Sequence, residues 1–288
     1  MPEPVRVAPT RIRGVLTSGD VRNLLRDHAI RPSRALGQNF LGDPNTARRI
    51  VRLAGVEAGD RVLEIGPGLG SLTLALADVG ARVHALELDR HLVPAIESVL
   101  RGVPDVTVEQ GDALTWDFAG RLRDGPWSCV SNLPYNVATP VVARVLEEAP
   151  TVTRLLVMVQ REVGERLVAG PGTKAYGAVS VKVSFHATAR IVGAVPPTVF
   201  VPRPKVESAL VQLERRVAPP VEVPSYAALF DLVGAGFAHR RKMLRRALAV
   251  VLGDRTEAVL TAAGVAPTAR AEELDLEAWA GVARAAAA

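Results

Sequence analysis

The stretch EIGPGLGSL, Glu64 to Leu72, places three glycines between an apolar run and a helix-like run. The run that leads into it, RVLEIG (61–66), is short, apolar and rich in β-branched residues, which is typical of a buried strand. Glycines at 66, 68 and 70 allow a ligand to approach the backbone closely where the strand turns into the helix. The stretch therefore predicts a strand–loop–helix unit that holds a ligand, and an ordinary tight turn is the plain alternative.

The same loop does not match the two common phosphate-binding patterns. Ser71 stands where a dinucleotide fingerprint has glycine or alanine, and Pro67 removes a backbone donor that a pyrophosphate would use. No Gly-Lys-Ser/Thr follows, so a Walker-type loop is excluded as well. We expect a nucleotide-like ligand that has no phosphate for this loop to hold.

Strand-like and helix-like runs alternate along the chain, which predicts a parallel sheet with helices on both faces. From about Ala175 the pattern changes, and two strand-like runs with no helix between them predict an antiparallel edge. The three prolines of VAPPVEVP (217–224) mark a domain boundary, beyond which the sequence is helical and alanine-rich. The predicted parallel strands are RVLEIG (61–66), RVHALELD (82–89), VTVEQGD (106–112), WSCVSN (127–132) and RLLVMVQ (154–160), and the two edge runs are AVSVKVSFH (178–186) and SALVQLERR (208–216).

Polar residues stand at the carboxyl ends of the strands that follow the glycine loop. Glu87 ends the second strand, 21 residues after Gly66, where an acid can accept hydrogen bonds from both hydroxyls of a ribose. Asp112 ends the third strand, although alone it would read as a helix N-cap, and Asn132 ends the fourth. Because ligands of open parallel sheets bind outside the carboxyl ends of the strands, we expect these residues to face one crevice.

Composition and cysteine usage limit the class of protein. A chain of 288 residues, 48% hydrophobic and 23% charged, is ordinary for a globular protein with one large and one small domain. The single cysteine, Cys129, excludes an internal disulfide and a cysteine-cluster metal site, and His84, His91 and His186 have no metal-ligand spacing. We therefore predict no metal. No run is long enough for a membrane span and residues 1–20 lack the apolar core of a signal peptide, so we expect a cytoplasmic protein with no membrane partner.

Positive charge is concentrated in two places. The net charge of +5 and the isoelectric point of about 9.9 favour a polyanionic partner. Residues 1–36 hold seven arginines against three acids, and AHRRKMLRRAL (238–248) reads as a helix with five basic residues. Its apolar residues recur at helical spacing and predict an inward face, which leaves three basic residues outward. A solvated helix face is the plain alternative, but two such clusters favour nucleic acid. The predicted inward residues are Met243, Leu244, Ala247, Leu248 and Val251, and the outward ones are Arg241, Lys242 and Arg245.

Seven motifs, in order and spacing, resemble those of the ribosomal RNA adenine N6-dimethyltransferases across residues 33–215. The resemblance implies an α/β fold with a Rossmann-like seven-stranded S-adenosylmethionine-dependent methyltransferase domain at 33–216. It also implies a small all-helical C-terminal domain at 217–288 that contacts RNA, while residues 1–32 form a basic N-terminal extension whose role is open. The motifs are GQNFL (37–41), EIGPGLGSLT (64–73), ELD (87–89), QGDAL (110–114), SNLPYN (131–136), AGPGTKAYGAVSV (169–181) and PPTVFVPRPKVESA (196–209).

The resemblance also implies roles for individual residues. S-adenosylmethionine is the expected cofactor, and Phe200 resembles a second aromatic residue that the family places near the target base. Arg203 and Lys205 are candidates for contacts to RNA phosphates, although either can simply be exposed. The residues implied to line the cofactor site are Asn39, Leu41, Gly66, Glu87, Asp112 and Asn132.

The chemistry of SNLPY, Ser131 to Tyr135, supports this reading independently. Adenine N6 is a weak nucleophile because its lone pair is delocalised into the ring, so the enzyme must hold N6 in line with the methyl group and localise that lone pair. Two acceptors can do this, namely the side-chain oxygen of Asn132 and a backbone carbonyl at Leu133 or Pro134. Pro134 restricts the backbone and aims that carbonyl, and Tyr135 offers a face for stacking. The plain alternative is a proline-terminated strand with Tyr135 in the core.

Within the family the motifs look most like those of the small-subunit enzymes. This implies dimethylation of two adjacent adenosines in a 3′-terminal hairpin loop of 16S rRNA, within an assembling 30S subunit, by a monomer. A large-subunit rRNA dimethyltransferase that confers antibiotic resistance is the first alternative, and the long helical tail and AGPGTKAYGAVSV favour the small-subunit enzyme over it. A DNA adenine methyltransferase typically has proline where Leu133 stands. A protein that acts chiefly as a ribosome-assembly factor is the alternative from another class.

Overall fold

The computed structural model describes residues 14–288, and the N-terminal part of the predicted extension, residues 1–13, lies outside it. Among the described residues the strands are β1 Phe40–Leu41, β2 Arg61–Ile65, β3 Arg82–Glu87, β4 Val106–Gln110, β5 Trp127–Asn132, β6 Val152–Gln160, β7 Ala187–Val195, β8 Phe200–Val201 and β9 Ser208–Arg215. The α-helices are α1 Ser18–Asp27, α2 Pro44–Ala54, α3 Ser71–Asp78, α4 Val93–Val99, α5 Phe118–Arg121, α6 Ala138–Glu148, α7 Arg161–Val168, α8 Ala178–His186, α9 Tyr226–Ala238, α10 Leu244–Ala247, α11 Ala249–Leu252, α12 Thr256–Ala262 and α13 Leu276–Ala287.

Within residues 14–288, seven strands form one sheet in the order β4-β3-β2-β5-β6-β9-β7. The first five of these are parallel, whereas β9 pairs antiparallel with both β6 and β7. The chain moves outward from β2 through β3 to β4 and then returns to the other side of β2 with β5. This reversal opens a crevice at the carboxyl ends of β2 and β5, which is where open α/β sheets bind ligands. The predicted seven-stranded α/β fold with an antiparallel edge is confirmed.

The central strands are buried on both faces, as their nearly continuous apolar sequences predict. Along β6, Leu156 and Met158 belong to the core beneath α2 and α3, while Leu155, Val157 and Val159 belong to the core beneath α6 and α7. This alternation holds the sheet between two helical layers. The polar residues at the strand ends therefore project beyond the core and into the crevice.

The segment Ala178–His186 is an α-helix, so the prediction of a strand there is wrong. The antiparallel edge strand is the next segment, β7, which pairs with β9. Alternating valines gave this segment the period of a strand, but burial on more than one side overrides that pattern. Val183 packs in the core beneath the sheet, whereas Val181 and Phe185 pack against the C-terminal helices.

The chain beyond the proline-rich segment is helical, as expected, and forms its own apolar cluster around the buried Trp279. The predicted helix over AHRRKMLRRAL is wrong in part, because α9 ends at Ala238 and a turn precedes α10. Leu244, Ala247 and Leu248 are buried as predicted. In contrast, Met243 is 40% exposed and Val251 is 48% exposed, because the turn and the short α11 end the expected apolar face.

The loop between α7 and α8 is fastened to the C-terminal helical region. The guanidinium of Arg240 forms a salt bridge with Glu272 at 2.6 Å and donates to the carbonyl oxygens of Thr173 (3.3 Å) and Lys174 (2.8 Å). The backbone N–H of Gly172 donates to the carbonyl of Glu272, and the buried Tyr176 hydroxyl donates to the carbonyl of Leu274. Arg240 is thus a structural member of the basic cluster.

Helix α1 lies within the predicted extension but packs on the part of the chain that carries β1. Its Val21 and Leu24 belong to the same core cluster as Phe40 and Leu41, and the Ser18 hydroxyl donates to the carbonyl of Gly42. A Cβ at Gly42 would lie 2.8 Å from the Ser18 hydroxyl oxygen, so this approach needs glycine. In the described part of the chain, no helix is both long enough and apolar enough to span a membrane.

Candidate active site

An open cavity lies at the carboxyl ends of the parallel strands, with an empty volume of about 1100 Å³ that includes solvent space at its mouth. It lies between β2 and β5, where the strand order of the sheet reverses, which is the usual ligand-binding position in an open α/β sheet. The glycine loop, the ends of β3 and β4, the SNLPY segment and the chain before α2 all contribute to its wall. Every residue predicted for the cofactor site lies on that wall, together with the four residues from Asn132 to Tyr135, and the set is Asn39, Leu41, Gly66, Glu87, Asp112, Asn132, Leu133, Pro134 and Tyr135.

The glycine loop comes close to its neighbours at positions that tolerate no side chain. Gly66 has φ +71° and Gly68 has φ +60°, conformations that glycine adopts readily. A Cβ on Gly66 would lie 3.1 Å from Cδ of Pro134, and one on Gly68 would lie 2.9 Å from the ring of Phe40. These contacts bring the loop against the SNLPY segment. The glycine loop, predicted to bind the cofactor, and the SNLPY segment, predicted to bind the target base, are therefore adjacent.

Glu87 is buried at the end of β3, with 5% of its surface exposed. One carboxylate oxygen accepts the backbone N–H of Gly68 at 3.0 Å, and the other accepts the backbone N–H of Asp89 at 2.9 Å. Burial raises the pKa of Glu87, and these two hydrogen bonds act against that rise. Since a carboxylate offers about four lone-pair positions, two remain for the hydroxyls of a ribose.

The ends of β3 and β4 also present two leucines that sequence reasoning missed. Leu88 is 47% exposed and Leu114 is 37% exposed, and both line the cavity. Between them in the chain, Asp112 accepts the backbone N–H of Leu114 at 2.8 Å through Oδ1, which leaves Oδ2 as an acceptor. The sequence signal that could have identified these leucines is an apolar residue close to each strand-end acid, in ELD and in GDAL. Two apolar walls and an acceptor suit an aromatic base that carries an amino group.

Asn132 has a defined orientation at the end of β5. Its Nδ2 donates to the carbonyl oxygen of Asn39 at 3.3 Å, so its Oδ1 is the atom left to accept a hydrogen bond. The carbonyl of Pro134 already accepts the N–H of Val137 at 3.2 Å. Among the hydrogen bonds of residues 14–288, none uses the carbonyl oxygen of Leu133. Of the two carbonyls proposed from the sequence, the geometry favours that of Leu133.

Tyr135 is held in place by its hydroxyl group. The hydroxyl oxygen lies 2.7 Å from the hydroxyl of Ser208, a buried residue at the start of β9. Desolvation raises the pKa of the Tyr135 phenol, so the group stays protonated at neutral pH. Tyr135 as a residue is partly exposed and lines the cavity. A fixed ring on the cavity wall is suited to stack against a planar base.

Residues 33–39, here called the strap, connect the two sides of the cavity. Gln38 donates to Asp89 at 2.8 Å, beside Glu87, and Asn136 donates to the carbonyl of Ala35 at 2.9 Å. Gly37 has φ +65°, and a Cβ there would lie 3.1 Å from the backbone nitrogen of Tyr135. Sequence reasoning did not assign Gln38 or Asn136 a role, because contacts over 51 and 101 residues leave no local signal.

The remaining predicted residues lie outside the cavity. Phe200 is 3% exposed and pairs with Leu41 in the two-stranded sheet β1–β8, so the structure does not bring its ring to the cavity wall. Arg203 and Lys205 are exposed in the segment that follows it. Arg241, Lys242 and Arg245 are exposed as well, and Arg245 lies 3.7 Å from Glu257.

The parallel sheet, the glycine loop without a phosphate site and the acid at the end of β3 define an S-adenosylmethionine-dependent methyltransferase with a Rossmann-like fold. The chain belongs to the ribosomal RNA adenine dimethylase family, whose model matches residues 30–287. It is therefore an adenine dimethyltransferase that uses S-adenosylmethionine. Helix α1 precedes the region that the family model covers.

Comparisons with individual proteins support the assignment to this family. The chain is 47% identical to ribosomal RNA small subunit methyltransferase A of Acidothermus cellulolyticus, with 91% of each chain covered. It is 48% identical to the protein of the same name from Nocardia farcinica, covering 92% of this chain and 93% of the relative. Among solved structures, the 23S rRNA methyltransferase ErmE has a TM-score of 0.64 at 29% identity, covering 87% of this chain and 100% of ErmE. A dimethyladenosine transferase from Plasmodium falciparum shares the fold, with a TM-score of 0.68 at 22% identity over 84% of this chain and 95% of its own.

The cavity fits S-adenosylmethionine on the chemistry of its own groups. Glu87 and Asp112 keep free acceptor positions, and Leu88 and Leu114 give apolar surface. Ser71 Oγ and Glu64 Oε2 are buried at the cavity wall without a hydrogen-bond partner among the described residues. Buried polar atoms in folded proteins are rarely left without partners, which is consistent with a polar ligand at this point.

Proposed function

We propose that the chain dimethylates N6 of two adjacent adenosines in a 3′-terminal hairpin loop of 16S rRNA, as a cytoplasmic monomer that acts on an assembling 30S subunit. The observation that supports this most directly is the pair of acceptors after β5. The Asn132 amide nitrogen is committed to Asn39, so Oδ1 is available, and the Leu133 carbonyl is available one residue later. Two fixed acceptors suit the two protons of an exocyclic amino group.

Asn132 and Leu133 act by positioning and electrostatics. In the first transfer, hydrogen bonds from both N6 protons reduce the delocalisation of the nitrogen lone pair into the purine ring and direct it toward the incoming methyl group. In the second transfer, the single N–H of the monomethylated nitrogen donates to one of the two acceptors. As the new N–C bond forms, N6 gains positive charge, and two preorganised oxygen dipoles stabilise it. The amine then loses a proton to solvent, so the proposed step requires no general base in the protein.

The cofactor would be held by the groups already described at the ends of β2, β3 and β4. Glu87 would bind the ribose hydroxyls, Asp112 Oδ2 the amino group of the cofactor adenine, and Leu88 and Leu114 the two faces of that ring. When bound, S-adenosylmethionine supplies a methyl group activated by its positively charged sulfur. Asn39 and Leu41, carried by the strap and β1, would cover the cofactor and exclude water.

Tyr135 would stack on the extruded target adenine at the mouth of the cavity. Its Ser208 contact keeps the ring from rotating away and lowers the entropy lost on binding. A contribution from Phe200 remains part of this proposal, and it requires the β8 segment to present a ring that is 3% exposed here.

We propose small-subunit RNA as the substrate because the relatives named for the small subunit are more similar in sequence to this chain than the relative named for 23S rRNA. Relatives at 47% and 48% identity are named for the small subunit, whereas ErmE, named for 23S rRNA, is 29% identical. The intact acceptor pair and cavity also argue against a protein that serves ribosome assembly without catalysis. A dual role in methylation and assembly stays compatible with every observation.

Mass spectrometry of rRNA from cells that lack the protein tests the proposal. We expect the loss of dimethyladenosine from two adjacent positions near the 3′ end of 16S rRNA, and its return when the wild-type gene is restored. Loss from 23S rRNA would indicate the large-subunit alternative. If an Asn132→Ala variant restores subunit assembly but not the modification, assembly and catalysis are separate functions of the chain.

The exposed cations of the C-terminal region should bind RNA phosphates. Replacing Arg241, Lys242 and Arg245 with alanine should weaken RNA binding at low salt and reduce the slope of log affinity against log salt by about 0.7–0.9 for each phosphate that is no longer neutralised. Methylation at saturating RNA should stay near normal, because these residues lie outside the cavity. Filter binding or fluorescence anisotropy at several salt concentrations measures the slope.

A matched triple variant controls for the removal of three charges. Arg82, Arg101 and Arg123 are exposed near the amino ends of the strands, at the edge of the sheet opposite the cavity. Their replacement by alanine should leave the salt slope unchanged. Parallel slopes for wild type and the C-terminal triple variant would mean that this cluster is only a solvated surface.

A further inference from the structure

Glu64 is a buried acid at the cavity wall that the proposed mechanism does not use. Glu64 lies one residue before the end of β2, and only 1% of its surface is exposed. Its Oε2 atom makes no hydrogen bond within the described residues, yet the residue lines the cavity. A buried carboxyl group with a free oxygen requires either a proton or a cationic partner.

The groups around Glu64 favour the proton in the cofactor-free protein. Glu87 faces it from β3 and Cys129 from β5, and both are acids rather than cations. From α3, the side chains of Ser71 and Thr73 are buried. The Ser71 hydroxyl oxygen has no hydrogen-bond partner among residues 14–288, and the Thr73 hydroxyl lies close enough to Glu64 to act on its carboxyl group.

The pKa of Glu64 follows from these surroundings. Burial raises it from 4.5 to about 8, the charge of Glu87 adds to the rise, and the nearby Thr73 hydroxyl acts in the opposite direction. Glu64 is thus mostly neutral at neutral pH. Glu87 differs because two backbone N–H groups stabilise its carboxylate.

The cofactor brings positive charge to a cavity wall whose nearest ionisable groups are acids. S-adenosylmethionine carries a sulfonium and an ammonium group, and a cation within a few ångströms of a buried carboxyl group favours its ionised form. We propose that Glu64 gives up its proton when S-adenosylmethionine binds and becomes the carboxylate partner of the cofactor's positively charged methionine part. This inference rests on cofactor binding in the cavity and is independent of the RNA substrate.

Proton release on binding has a direct calorimetric signature. The binding enthalpy measured in buffers with different ionisation enthalpies varies linearly, and the slope gives the number of protons exchanged. The titration should be run at pH 6.5, where the cofactor's own amino group, with a pKa of about 7.7–8.0, is already protonated before binding. We expect the wild-type protein to release close to one proton per cofactor bound.

Two glutamine variants assign the proton. Glutamine mimics the shape of a neutral glutamic acid, so Glu64→Gln should fold and should release close to zero protons on binding. Glu87→Gln should still release a proton if it binds. Wild-type binding without proton release, or equal release from wild type and Glu64→Gln, would overturn the proposal, and release abolished only in Glu87→Gln would show that the proton belongs to Glu87 instead.

Unfolding of the cofactor-free protein provides a second test that does not depend on binding. Between pH 4.5 and about 8 the unfolded chain loses a proton that native Glu64 keeps, so stability should fall relative to Glu64→Gln as the pH rises. Urea titrations at several pH values measure this difference. A difference that stays constant across the window would contradict a protonated Glu64.

A third titration identifies the cationic group. S-adenosylhomocysteine keeps the ammonium group but has a neutral sulfur. Equal proton release with both ligands would assign the ammonium group as the partner of Glu64, and release with S-adenosylmethionine alone would assign the sulfonium. Either result supports ionisation of Glu64, and binding without release for both ligands excludes it while leaving the methyltransferase function intact.

Discussion

Replacement of Asn132 by alanine should lower the rate of methyl transfer by roughly 10²–10³, the scale for losing one preorganised partner of the transition state. The variant loses the side-chain oxygen that would accept an N6 proton, and the Leu133 carbonyl alone cannot fix both protons. The nitrogen lone pair then stays delocalised and less well aligned. Single-turnover methylation of 30S subunits from cells lacking the enzyme, at saturating S-adenosylmethionine, measures this rate.

The second hydrogen bond of Asn132 calls for a matched control. Its Nδ2 binds the carbonyl of Asn39 on the strap, so the alanine variant also loosens the strap and should lose some cofactor affinity. Asn136→Ala removes a different strap contact, the one to Ala35, without touching the acceptor pair. We expect Asn136→Ala to change cofactor affinity but not the single-turnover rate at saturation. An unchanged rate in Asn132→Ala would refute the role given to SNLPY.

The parts of the fold that the sequence predicts well are those in which local pattern and tertiary burial agree. Strand β5 has the predicted bounds, Trp127–Asn132, because every side of it is buried in the parallel sheet. The glycine loop is equally predictable from the sequence, since the positive φ angles at Gly66 and Gly68 leave few alternatives to glycine. Strand order places the polar ends of β2, β3, β4 and β5 in one crevice, as the alternation of elements implied.

The errors occur where contacts distant in the chain override the local pattern. Ala178–His186 reads as a strand, yet it is a helix whose Lys182 pairs with Glu147 and whose Phe185 packs on the C-terminal helices. The cluster around Arg240 reads as a helix, but hydrogen bonds to the loop of Thr173 hold it in a turn. The hydrogen bonds that hold the strap in place could not be foreseen either, because the partners of Gln38 and of the Ala35 carbonyl lie 51 and 101 residues away in sequence.

The geometry also refines what the sequence left open at the target site. Proline at position 134 suggested that one of two carbonyls is aimed at the base. The turn from Pro134 to Val137 uses the Pro134 carbonyl, which leaves that of Leu133. In the proposed mechanism, leucine and proline therefore have separate tasks, since Leu133 would present its carbonyl to the base while Pro134 packs on the glycine loop at Gly66.

Replacement of Glu87 by alanine should weaken S-adenosylmethionine binding by about 1–3 kcal/mol, the scale for leaving buried hydrogen-bonding groups without a partner. Both carboxylate oxygens already accept one backbone N–H, from Gly68 and Asp89, so the variant loses the ribose acceptors and also loosens the glycine loop. Calorimetry on the folded variant, with circular dichroism to verify the fold, measures the change.

Glu109 supplies the matched acid for this experiment. It lies on the neighbouring strand β4, is partly buried, and binds the indole N–H of Trp116 at 3.1 Å, but it does not line the cavity. Glu109→Ala should therefore retain wild-type affinity for the cofactor, while Glu87→Ala should lose about five- to 150-fold, the same 1–3 kcal/mol written as a ratio. Because both variants remove one carboxylate from adjacent strands, a general loss of charge or of sheet stability affects both alike. Equal affinity for Glu87→Ala and wild type would mean that the ribose is held elsewhere, and equal losses in both variants would trace the effect to the sheet.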